Sequence, residues 1–112
     1  MSTGTDDSHR HHADTVRTVM AGDTGVTDPA LRTAAAARAA GGPPIAAPYD
    51  DLARQIGDAS HRVTEAEVAA VRQASGSDKA AFEIVMSACI GAGLARWEAA
   101  ARVIAEATDA PA

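Results

Sequence analysis

From Asp78 to about Ala107 nothing in the chain forces a helix to stop: there is no proline and no cluster of turn formers. Phe82, Met86, Ile90, Trp97, Ala101 and Ile104 recur along it at helical spacing. Ile84, Val85, Cys89 and Leu94 widen that stripe beyond a narrow coiled-coil seam. One long helix therefore carries most of the core, and the remainder must pack around it. No period-two alternation competes elsewhere, so the expected fold class is all-α.

The preceding segments are punctuated by local signals. Asp28-Pro29 reads as an N-cap followed by proline at the first helical position, opening an alanine-rich helix to Ala40. Gly41-Gly42-Pro43-Pro44 ends it. A second helix runs from about Pro48 to Ser60, with Tyr49, Leu52 and Ile56 on one face. Thr64-Glu65-Ala66-Glu67 is a capping box, and Val63 before it is placed to staple onto Val68. That third helix reaches about Ala74 with Val68 and Val71 inward; Ser75-Gly76-Ser77 closes it, and Ser77 caps the long fourth helix.

Residues 1–27 are rich in Ser, Thr, Gly, Asp and His and read as a flexible arm, with a short helix from about His12 to Met20. Residues 28–108 form the helical domain, and 109–112 a tail. Gly91 and Gly93 each cost about 1 kcal/mol against alanine within a helix. Flanking Ala88, Ala92 and Ala95 suggest that another backbone crosses closely there.

Of the 52 hydrophobic residues, 29 are alanine, and only 23 are larger. Sixteen of those 23 lie between Tyr49 and Ile104. So thin a core leaves a lone subunit marginal, and self-association is the ordinary remedy. An intertwined homo-oligomer is expected, with Phe82, Gly91, Gly93 and Trp97 packing within or between subunits. A further protein partner is compatible with this.

A net charge of −5 argues against nucleic-acid binding through a general field. Arg32 and Arg38 lie in an acid-free stretch from Leu31 to Pro48 and read as a solvated helix face, not a phosphate site. No apolar run reaches the roughly 18–20 residues of a membrane span, and the polar N-terminus is unlike a secretory signal. The expected address is the cytoplasm. His9, His11 and His12 could hold a transition metal only adventitiously, because a structural site needs a rigid frame of ligands. Neither metal nor cofactor is expected.

The block from Tyr49 to Ile104 resembles the alkylhydroperoxidase-like family, which includes carboxymuconolactone decarboxylase. The resemblance is carried by Arg62-Val63-Thr64-Glu65-Ala66-Glu67-Val68-Ala69-Ala70-Val71-Arg72, by Phe82-Glu83-Ile84-Val85, and by Ser87-Ala88-Cys89-Ile90-Gly91-Ala92-Gly93-Leu94-Ala95-Arg96. It covers about half of the chain and implies an all-helical fold assembled into trimers or hexamers. In the peroxidase branch it also implies a Cys-x-x-Cys pair, which this chain lacks. Cys89 is its single cysteine, so no resolving thiol exists within one subunit. On an apolar helical face Cys89 reads as a small core residue, with an intersubunit redox role as the alternative.

The decarboxylase branch needs no cysteine pair. Its acid–base chemistry would fall to His61 as general base, Arg62 orienting an anionic substrate, and Glu65, Glu67 or Glu83 as carboxylates. Glu67 already serves the capping box, and Glu83 on the opening turns of its helix would favour the helix dipole. The expected function is a non-catalytic, oligomeric accessory protein. The alternatives are a small-anion acid–base enzyme, which needs His61 inside an enclosed pocket with a carboxylate, and a peroxide-linked redox protein.

Overall fold

The computed structural model describes residues 3–109, which form α1 (Thr3–Met20), α2 (Pro29–Ala39), α3 (Tyr49–Ala59), α4 (Glu65–Ser75) and α5 (Asp78–Asp109), with a 3₁₀ turn at Ser60–Arg62. The all-α expectation holds, and so does the long C-terminal helix. Of the tail expected at 109–112, residues 110–112 lie outside the described residues. Where an arm was expected, α1 is helical from Thr3, well before His12.

Helix boundaries follow the local signals. The Asp28 carboxylate accepts from the Ala30 amide at 2.9 Å, and proline follows it. Thr64 Oγ1 accepts from the Glu67 amide at 3.1 Å, while Glu67 accepts from the Thr64 amide at 2.9 Å. The Ser77 hydroxyl accepts from the Ala80 amide at the head of α5. Gly76 closes α4 with φ +98°, a left-handed conformation that side chains rarely adopt.

The long helix α5 touches all four other helices: the alanine helix α2 packs on α5 and α3, α4 packs on α5 and α3, and α1 rests on α2 and α5. The core comprises Ala35 and Ala39 from α2, Leu52, Ala53 and Ile56 from α3, Val71 from α4, and Ala81, Ile84, Ala88 and Ala92 from α5. Only Leu52, Ile56, Val71 and Ile84 in that set are larger than alanine. Small side chains let the helices approach closely, and two glycines bring them closer still. A Cβ on Gly91 would stand 2.6 Å from Ala36 Cα, and one on Gly57 would stand 2.9 Å from the Ala39 carbonyl carbon. Both distances are below any tolerable contact, so α2 is clamped between two glycine crossings.

This arrangement corrects the expected orientation of α5. Its core face is the Ala81–Ile84–Ala88–Ala92 stripe, not the bulkier stripe through Phe82 and Trp97. The alanine surface of α2 fits the small-residue side of α5 closely and leaves the bulky side turned away. Gly91 sits at the expected crossing, whereas Gly93 faces open space. Val68, expected inward, is exposed, while Val71 is fully buried.

Across its 32 residues α5 is about 48 Å long at the helical rise, close to the 55 Å length of the whole molecule. Residues 102–108 are all exposed, so its last turns project beyond the bundle. By length and composition, Asp78–Thr108 also reaches the threshold for crossing a membrane, contrary to the sequence expectation; part of it is buried in the bundle.

Candidate functional site

Two regions gather chemistry-bearing side chains. The first joins the connection between α1 and α2 to α5. Arg32 is 5% exposed. Its Nε donates to the Met20 carbonyl at 2.8 Å, Nη1 to the Thr27 carbonyl and hydroxyl, and Nη2 to the Gly22 carbonyl. Glu83 faces it, with 3.6 Å between Arg32 Nη1 and Glu83 Oε1. The Glu83 carboxylate accepts from the Thr27 hydroxyl at 2.6 Å, the Val26 amide at 2.9 Å and the Thr27 amide at 3.0 Å.

These donors stabilise the ionised form. The Thr27 hydroxyl, the Val26 and Thr27 amides and the Arg32 charge together hold the Glu83 carboxyl down to about 2, from its ordinary 4.5. An acid this strong has no proton to give near neutrality and little basicity with which to take one. Glu83 therefore anchors the 22–27 connection to α5. Arg32, expected in solvent, is the buried cation of the same anchor; its partners are backbone carbonyls left open where α1 ends and the chain turns.

A smaller ion pair fixes the next connection. Asp50 accepts from Arg38 Nε at 2.8 Å and from the Ile45 amide at 2.9 Å, while Arg38 Nη1 donates to the Gly42 carbonyl. The Ile45 amide and the Arg38 guanidinium hold the Asp50 carboxyl below its usual range. Among the described residues no buried side-chain polar atom lacks a hydrogen-bond partner.

The residues singled out for acid–base chemistry do not converge. His61 and Arg62 lie exposed on the 3₁₀ turn, and Glu67 is occupied by its capping box. The four principal clefts are lined by neither His61 nor Arg62. An open depression of about 620 Å³ at the end of α4 is lined by Ala69, Arg72, Gln73, Gly76, Ser77 and Asp78. No cluster of three metal-binding side chains occurs among the described residues. His9 instead meets Trp97 edge-on, with ring centroids 6.4 Å apart.

The second region is the outward face of α5. Phe82 is 62% exposed, Met86 41%, Trp97 36%, Val103 63% and Ile104 66%. Cys89, expected in the core, is exposed on the same face, beside Gly93 and its open surroundings. Exposed apolar side chains therefore recur along this face of α5. Phe82 and Trp97, expected to pack within or between subunits, are not part of the core of the single chain. No protein-family model, curated protein or solved structure matches the chain.

Proposed function

We propose that this protein is a non-catalytic accessory subunit that works by self-association, built on a scaffold of the alkylhydroperoxidase-like kind. The observation that carries this reading is the outward face of α5, where Phe82, Met86, Trp97 and Ile104 stand exposed on one rigid helix. The interior supports it. The charged groups drawn into the fold, Arg32 with Glu83 and Arg38 with Asp50, hold chain connections in place. A core with four bulky buried side chains gains from added apolar contact.

Size-exclusion chromatography with light scattering tests the reading. The wild-type protein should elute above the 11.3 kDa of one chain, and Met86→Glu, which places a charge on the exposed strip, should shift it to one chain without loss of helicity. A single chain throughout the micromolar range would overturn the reading.

A further inference from the structure

Resting on that reading, we infer that the outward face of α5 seats a second copy of the same chain, antiparallel to the first, with Gly93 on the twofold axis. At 100° per residue, Phe82, Met86, Cys89, Trp97 and Ile104 all point within about 40° of the direction of Gly93. Between Phe82 and Ile104 no charged residue falls in that sector. Gly93 lies midway: Phe82 precedes it by eleven positions and Ile104 follows it by eleven.

Side-chain sizes favour the antiparallel arrangement. About an axis at Gly93, Phe82 meets the partner's Ile104, Met86 meets the partner's Ala100, and Trp97 meets the partner's Cys89. Each large side chain thus faces a smaller or slimmer one. The exposed part of Trp97, whose ring also meets His9 edge-on, faces a four-residue hole formed by the partner's Met86, Cys89, Ile90 and Gly93, the spacing that receives a knob in paired helices. The open space above Gly93 leaves room for it. Phe82 enters a hole whose members are the partner's Ala100, Val103, Ile104 and Ala107. A parallel pair would instead stack Trp97 on Trp97 and Phe82 on Phe82, and align the two helix dipoles unfavourably.

The projecting end of α5 points the same way. Among the described residues, 102–108 are all exposed, with Val103 and Ile104 about two-thirds open to solvent. Antiparallel pairing lays this rod beside Phe82 of the other copy, where a bundle backs the helix. A parallel pair would leave two rod ends together beyond both bundles. Burying the exposed parts of these side chains removes on the order of 1,200 Å² in total, at the lower edge of a specific interface.

The native cysteine makes the test direct. In one helix, positions 89 and 97 are about 12 Å apart, beyond the roughly 7 Å that a disulfide spans between Cα atoms. In Trp97→Cys, any disulfide between positions 89 and 97 must therefore join two chains. Mild oxidation should yield a covalent dimer, and tryptic cleavage after Arg96 separates the two positions, so mass spectrometry of the linked peptides identifies the pairing. In the wild type, Cys89 of the two copies should stay about 12 Å apart and form no disulfide. Should Trp97→Cys lose helicity, Phe82→Cys with Ile104→Cys in a Cys89→Ser background carries the same test, with an 82–104 link expected.

A Cys89–Cys89 disulfide in the wild type would mean a parallel pair, and would overturn the antiparallel geometry while leaving self-association standing. A dimer in solution without the 89–97 or 82–104 link would assign pairing to another face, with the same consequence. A single-chain mass would overturn both the geometry and the reading beneath it. Co-sedimentation of single chains with phosphatidylcholine–phosphatidylglycerol vesicles would give the face to lipid and overturn the inference.

Discussion

Replacing Gly91 by alanine adds one methyl group at the tightest crossing in the fold. The new Cβ would stand 2.6 Å from the Cα and carbonyl carbon of Ala36, where ordinary contact begins at 3.4 Å. The Ala36 carbonyl oxygen stands closer still, so the α2 and α5 backbones must separate locally by at least about 0.8 Å, the difference of those distances. A gap of that size forfeits roughly a quarter to a half of the dispersion energy of each contact it opens. Overpacking of this kind costs about 1–3 kcal/mol, and a clash with backbone, which cannot rotate away, belongs at the upper end. Alanine recovers about 1 kcal/mol through helix propensity, leaving a net loss of about 2 kcal/mol. For a chain of this length that lowers Tm by about 8 °C, measured by circular dichroism at 222 nm. Gly93→Ala, compared in a Met86→Glu background so that self-association does not enter, is the control: its Cβ meets nothing within 4 Å, so Tm should not fall. A Gly91→Ala Tm equal to or above the wild type would refute the clamped crossing.

Other consequences follow from the same structure. Glu83 binds its proton less readily folded than unfolded, so its stabilising contribution is complete above pH 4.5 and is lost as pH falls toward about 2. Acid titration of Glu83→Gln should show a lower Tm at pH 7 and a smaller decline across that window than the wild type; identical profiles would remove the anchor. Leu52→Ala empties a fully buried site and should cost about 2–5 kcal/mol in urea titration. Gly93→Leu should keep its helicity but weaken self-association at least tenfold by sedimentation, because its side chain enters space that the single chain leaves open.

Helix boundaries were legible because their causes are local. Asp28-Pro29, the Thr64–Glu67 box and Gly76 each fix a terminus within a few residues of sequence. The inward face of α5 was not legible, because two stripes share that helix. Bulk favours Phe82 and Trp97, but the partner helix is alanine-rich, and close approach rewards Ala88, Gly91 and Ala92. Glycine at position 91 is the usable signal, and Gly57 has the same role against Ala39.

Arg32 illustrates a different limit. Its acid-free surroundings were visible, yet its acceptors are backbone carbonyls of Met20, Gly22 and Thr27, and its counter-charge lies on α5. Backbone groups leave no mark in a sequence, and a carboxylate 51 positions away, from 32 to 83, is not paired with it by any periodicity. His61 fails for a related reason: residue type supplies a titratable group, but enclosure depends on neighbours, and the 3₁₀ turn leaves it in solvent.

Small-angle X-ray scattering on a concentration series bears most directly on whether this protein works as an assembly. A single chain has a Cα radius of gyration of 16.0 Å and a mass of 11.3 kDa. Pairing along α5 predicts a forward-scattering mass twice that value and a radius of gyration clearly above it, both reverting in Met86→Glu. A mass of one chain and a radius near 16.0 Å at every concentration would contradict it.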